Sequence, residues 1–327
     1  MMTLLVFKEH LREFYNKYEV YITPVYKFLS TFIILTIMNQ RIGFMSQLKQ
    51  NGVVLTISLL SAIVPQSLTV LFICIFTLMH IFTLSLELAL VLAVLFLVMY
   101  ILYLRFVPRE AMVVIWLPVL AFLKIPYVMP IIMGLIGTPL SIVSVAFGTL
   151  LYFIMNYVGS NTAVINNVAS SESVQKINTL VNGLMDNAML PLTLLTFSLV
   201  VVVVYVIRRM SVDHSWKIAI IIGTVINMVV MLVGNLKLEL TQQNPVSWIV
   251  AGNFISMLLA FLLQFFVLSL DYSCTEYAQF EDDEYYYYVK AVPKITVTAP
   301  QVNIKRINAQ KTKVQKTKAE KAKAQKR

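Results

Sequence analysis

The sequence predicts an all-α protein that crosses a membrane several times. Three observations point there. Of 327 residues, 59% are hydrophobic and only 13% charged, where a soluble domain carries about 45–50% and about 25%. Mean hydropathy is +0.79. The apolar residues also come in runs near the length of about 20 that crosses the hydrocarbon layer. A soluble enzyme, a disordered chain and a disulfide-stapled secreted domain are excluded. The expected architecture is about six full spans plus one or two re-entrant, proline-broken hairpins.

Residues 3–19 come first. Leu4, Phe7, Leu11, Phe14 and Tyr18 recur at steps of three and four, which puts them on one helical face. Charges fill the other face, so 1–19 reads as a helix lying in the membrane interface. The membrane domain, 20–158, opens with a span at 20–39, whose Lys27 can snorkel to the headgroups. Residues 53–80 are apolar but broken by Pro65-Gln66-Ser67, and 84–104 form a clean span. Residues 111–137 are broken by Pro118, Lys124, Pro126 and Pro130, and 138–158 form another span. An extracytoplasmic polar stretch, 159–189, follows. Within it Val174, Ile177, Leu180, Val181, Leu184 and Met185 make an apolar face. Three more spans, at 190–207, 217–235 and 247–270, fill 190–270.

Orientation comes from basic residues at span ends. Arg105 and Arg109, then Arg208, Arg209 and Lys217, then the Lys-rich tail, all read as cytoplasmic. Between 110 and 208 the chain must therefore cross an even number of times. Spans 138–158 and 190–207 supply two crossings, which leaves 111–137 none or two. Its arms of about 11–14 residues give roughly 16–21 Å of helix at about 1.5 Å per residue, too short for two crossings of about 30 Å. A hairpin that enters from inside and returns is the consistent solution.

Residues 53–80 have the same form, with arms of about 12–13 residues and a clean span after them. Hairpin-plus-span would then occur at 53–104 and again at 111–158, entering from opposite sides, an inverted repeat of the kind many secondary transporters use. The other reading makes 53–80 one proline-kinked span, which would place Arg41 and Lys49 inside. Both readings stay open.

The charge of +10 belongs to one segment. Residues 305–327 hold ten basic side chains and one acid, a charge of +9, so the remainder carries +1. The lysines recur in fives (KTKVQ, KTKAE, KAKAQ) and would wind around a helix, since five residues turn it by roughly 140°. The tail therefore reads as solvated and disordered. Lys311, Lys313, Lys316, Lys318, Lys321 and Lys323 are candidates for binding anionic headgroups, at about 1 kcal/mol each. No aromatic residue interleaves with them, which disfavours nucleic acid as a partner. Residues 271–304 hold an acidic-tyrosine run, 281–288, and an extended, strand-like strip at 289–298 limited by Pro293 and Pro300.

No catalytic pattern occurs: no HExxH, GxSxG, Walker loop or Rossmann glycine pattern. The chain is not read as an enzyme, and no cofactor or metal is expected. Cys74 and Cys274 have no metal-type spacing, and His10, His80 and His214 are far apart. Candidate pathway residues are therefore polar groups in lipid-length segments. Glu87 lies within an apolar run, with His80 seven residues before it, so the two would share a face of a continuous helix. Headgroups or water at a span end would satisfy both equally well. Lys124 sits at the tip of the second hairpin, where freed backbone groups must face protein or water. It could attract an anion or substrate carboxylate, or pair with Glu87, or cap helix carbonyls. Pro126 and Tyr127 complete that tip, and Pro65, Gln66 and Ser67 form the other. Gly134, Gly137 and Gly148 offer close helix packing. Asn156, Asn227, Asn253 and Gln264 read as interhelical hydrogen-bonding groups.

The strings YEVYITPVYKFL, LKIPYVMPIIMGLIGTPLS, VIRRMSVDHSW and EDDEYYYYVKAVPKI resemble a multi-spanning membrane family of clostridial Gram-positive bacteria, over most of 10–298. The resemblance implies a bacterial plasma membrane and brings no substrate or site residue with it. The expected function is that of a transporter or permease, its two hairpin tips meeting to form the site and Glu87 as coupling group. A separate ATPase would be its partner in a permease, and a homo-oligomer remains open. The alternative is a scaffold for cell-envelope assembly or secretion, binding through the outer loop and the basic tail.

Overall fold

The computed structural model describes residues 2–101, 107, 110–162, 173–242, 244–267 and 276–291. The described residues are helical apart from short connections and one small sheet. The elements are α1 (Met2–Ile42), α2 (Asn51–Ile63), α3 (Gln66–Leu84), α4 (Leu86–Met99), α5 (Ala111–Phe122), α6 (Val128–Ile136) and α7 (Ser141–Ser160). Then come α8 (Ser173–Met185), α9 (Met189–Arg209), α10 (Ser215–Lys237), α11 (Val246–Val267), β1 (Glu276–Glu281) and β2 (Tyr286–Ala291). Among the described residues six helices are long and apolar enough to cross a membrane: α1 from Phe7, α3, α7, α9, α10 and α11. The protein is a multi-pass, all-α membrane protein.

Contacts between elements fix their directions. The Glu110 carboxylate accepts from Ser141 Oγ at 2.7 Å and Ser144 Oγ at 3.0 Å. Arg208 Nη2 donates to Gly137 O at 2.9 Å, and Ser215 Oγ donates to Arg208 O at 3.3 Å. The start of α5, the end of α6, the start of α7 and the end of α9 therefore share one end of the bundle, the Arg208 end. At the opposite end, here the Trp248 end, the Arg41 carbonyl lies 3.2 Å from where a Cβ on Gly159 would stand; from there the Arg41 side chain reaches inward over the Phe122 ring at 5.1 Å, and Phe122 meets Tyr152 edge-on at 5.2 Å.

The chain 111–137 thus leaves the Arg208 end and returns to it. Its tip lies beside Tyr152, well short of the end of α7. The α5 arm of 12 residues reaches about 18 Å, at about 1.5 Å per residue. A Cβ at Gly148 would lie 2.9 Å from Leu117 Cβ, so α5 is pressed onto α7. A Cβ at Gly134 would lie 2.6 Å from Val204 Cβ, so α6 is pressed onto α9.

The other broken stretch also turns back. Lys27 Nζ donates to Val64 O at 3.1 Å, Asn39 Nδ2 donates to Leu48 O at 3.2 Å, and Met45 N donates to His80 Nδ1 at 3.2 Å. So α2 runs antiparallel to α1, and α3 runs back beside it. The break is sharp because Val64 and Pro65 are extended (ψ 153° and 148°). This hairpin points away from the Trp248 end, opposite in direction to the other. Its arms are unequal, 13 and 19 residues, and α3 alone has the length of a span. Lys27 does not snorkel outward: it satisfies the carbonyl that the break sets free.

Other expectations divide. The interfacial helix and first span are one helix, α1, broken at Tyr18 (φ −112°, ψ 16°). Phe7, Leu11, Phe14 and Tyr18 stay exposed, as an interfacial face requires, while Lys8 Nζ donates to Phe265 O at 2.5 Å. The clean span expected at 84–104 is broken at Ser85, and the described helix that follows, Leu86–Met99, has 14 residues, short of span length, whereas α3 before it has that length. In the polar stretch 159–189 α8 forms, Leu184 packs against the core, and Met185 is exposed. The strand-like strip begins earlier than expected. Tyr286–Ala291 pairs antiparallel with Glu276–Glu281, Gln279 opposite Tyr288. The Asp282 carboxylate closes the turn, accepting from Glu284 N, Tyr285 N and Tyr287 OH. These bonds, the Glu284 amide first, hold its carboxyl below the usual range. Residues 292–298 and the lysine tail, with Lys311, Lys313, Lys316, Lys318, Lys321 and Lys323, lie outside the described residues.

The first hairpin makes a topological prediction. Single cysteines at Gln50→Cys and Phe82→Cys should react with a membrane-impermeant thiol reagent from the same side. Labelling from opposite sides would mean that 53–80 crosses once.

Candidate functional site

The α5 helix ends in a tight C-terminal cap. Lys124 N donates to Ala121 O at 3.0 Å and Ile125 N donates to Leu120 O at 2.9 Å, the paired bonds of a Schellman motif. The motif needs a left-handed residue at Lys124, where φ is 66°. Glycine is usual there, and a side chain costs roughly 1–2 kcal/mol. His214 and Glu239 also have positive φ, but on surface connections. The tip is seated on α11: a Cβ at Gly252 would lie 2.7 Å from Lys124 O and 2.9 Å from the Tyr127 ring.

Lys124, Pro126 and Tyr127 line a cavity of about 130 Å³ between the tip and the Trp248 end. Tyr152, Phe153 and Asn156 of α7 form one wall, Thr193 and Phe197 of α9 another, and Asn187, Asn244 and Trp248 the rim. The Tyr127 hydroxyl bonds the Asn244 side chain, and Tyr127 is buried against Phe197. Lys124 is exposed to the cavity. Among the described residues its ammonium has no hydrogen bond or ion pair, so it does not pair with Glu87.

A polar seam runs from this cavity toward the Arg208 end. Asn235, Asn227 and Thr224 share one face of α10, and Asn253, Ser256 and Gln264 share one face of α11; all six are buried. Asn235 Nδ2 donates to Asn244 O at 2.9 Å, which joins the seam to the rim. Among the described residues both side-chain polar atoms of Asn227 lack a partner. A buried, unsatisfied amide costs about 1–3 kcal/mol, which an apolar residue of similar size would avoid.

The remaining candidates lie elsewhere. Pro65, Gln66 and Ser67 form the first tip beside Lys27, and Ser67 faces a groove between α3 and α4. The two tips are not brought into one cavity, because α5 and α6 attach to α7 and α9 while α2 attaches to α1. His80 and Glu87 do not share a helix. Ser85 (φ −158°, ψ 127°) ends α3 and caps α4, its Oγ accepting from Leu88 N and donating to Glu87 Oε2 at 2.5 Å. His80 is buried against Phe76. Both residues lie near the Trp248 end, away from the cavity lining.

Glu110 was not singled out by sequence, because it lies just before an apolar run and looks like a headgroup residue. It is buried and ties the foot of α5 to α7 through Ser141 and Ser144. Arg208 clamps the foot of α6 through Leu135 O and Gly137 O. Among the described residues no cluster of His, Cys, Asp or Glu could hold a metal. Comparison with protein-family models, curated proteins and solved structures gives no match. The reading of the site rests on its own geometry.

Glu110→Ala is expected to destabilise the detergent-solubilised protein by roughly 1–3 kcal/mol, the cost of stripping partners from buried polar groups. Ser144→Ala should cost less, since it leaves Ser141 in place. A melting temperature unchanged in both would remove Glu110 as the tie.

Proposed function

We propose that the protein is a transporter or permease that takes a small polar solute at the tip of the α5–α6 hairpin. The carrying observation is Lys124, held left-handed at a cost and exposed to a polar cavity within the bundle. Strain retained where the chain could use glycine is a mark of function. In this reading α2–α4 and α5–α7 are inverted repeats of hairpin plus span, as in many secondary transporters. The Arg208 end is cytoplasmic, because Arg208, Arg209 and Lys217 gather there. The cavity then opens to the outside of a bacterial plasma membrane. The α10–α11 seam, with the unpartnered Asn227, is the onward route, and the Glu110 and Arg208 ties close its cytoplasmic side.

Reconstituted protein should give solute-dependent flux for at least one member of a panel of small anions, zwitterions and sugars. Lys124→Gly should lower that flux by tenfold or more while leaving the melting temperature equal or higher, since glycine relieves the left-handed strain. No flux above empty liposomes, or equal flux in Lys124→Gly, would overturn the proposal.

A further inference from the structure

We infer that the cavity selects a small organic monoanion, a carboxylate with a short apolar or aromatic body. The inference rests on reading the cavity as the solute site. Among the described residues that line it, Lys124 is the one charged group and none is acidic. A cation would find nothing to neutralise it. Asp186 and Glu239 are near lining residues in sequence but do not line the cavity. A second cation stands close by: Arg41, over the Phe122 ring at 5.1 Å, two residues before Lys124. Both guard the tip from the side that opens at the Trp248 end. A cleft lined by one sign of charge concentrates ions of the other.

The neutral groups fit the same ligand. Asn156, Asn187 and Asn244 bring amide donors, while the Thr149 and Thr193 hydroxyls are already given to the Val145 and Met189 carbonyls of their own helices. A carboxylate held by Lys124 can accept from such donors, and charge-assisted bonds of this kind are the strong ones. Tyr152, Phe153, Phe197 and Trp248 supply apolar walls for the rest of the molecule. The 130 Å³ volume limits the body to a few heavy atoms. A single lysine at the tip matches one negative charge and leaves a dianion half compensated.

Trp248 at the rim supplies the signal. Full-length protein carrying Trp116→Phe and Trp216→Phe, neither residue lining the cavity, keeps it as the one indole, since the chain has three tryptophans. Its fluorescence is titrated with sodium propanoate, the isosteric propanamide, and propylammonium chloride. Saturable change with propanoate is expected at concentrations at least tenfold below those for the amide, with no saturation by the ammonium. Lys124→Gln should bring propanoate and propanamide to within about twofold, and Lys124→Arg should restore the preference. Equal response to acid and amide, or a preference untouched by Lys124→Gln, would overturn the inference. Flux of a neutral solute without anion preference sinks this inference alone. Anion binding with no flux sinks the transport reading and leaves the anion site standing.

Discussion

A helix that stops inside a membrane exposes peptide groups that lipid cannot bond, each costing several kcal/mol. The structure answers that constraint twice, by different means. At the first break the Val64 carbonyl, set free by Pro65, receives the Lys27 ammonium. At the second, the chain bonds to itself: the cap around Lys124 uses the Leu120 and Ala121 carbonyls. That leaves the Lys124 ammonium unspent. The difference is that the lysine at the first break is used on the backbone, whereas the lysine at the second is left facing a cavity.

Three glycines set where the second tip stands. Gly148 admits α5 against α7, Gly134 admits α6 against α9, and Gly252 admits the turn itself against α11. Each arm is thus seated on a helix of the bundle, and the tip stops short of its Trp248 end. Glu110 and Arg208 fasten the two feet. The cavity is thus a consequence of short arms and small residues, and polar side chains furnish it.

Much of this was legible in the sequence because it followed from length and parity. Arms too short to cross, lying between basic loops, had to turn back, and Lys124-Ile125-Pro126-Tyr127 fell at the turn. What was not legible depended on contacts between distant residues. Nothing local distinguishes Glu110 from a headgroup residue until Ser141 and Ser144 fold onto it. The expected face shared by His80 and Glu87 failed because Ser85, an ordinary residue inside an apolar run, acts as a helix cap. Asn227 and Asn253 read as interhelical glue, yet Asn253 donates within its own helix and Asn227 has no partner among the described residues. Helical periodicity alone could have put Asn235, Asn227 and Thr224 on one face of α10, and Asn253, Ser256 and Gln264 on one face of α11.

The account stands or falls on the depth and wetness of the second tip. Lys124→Cys and Thr138→Cys, each in an otherwise cysteine-free chain in sealed vesicles of known orientation, give the most direct measurement with an impermeant thiol reagent. Position 124 should react only from the face bearing Trp248, and position 138 only from the face bearing Arg208. Reaction of both from one face, or no reaction at 124 from either, would contradict a tip that reaches a water-filled cavity from the opposite side.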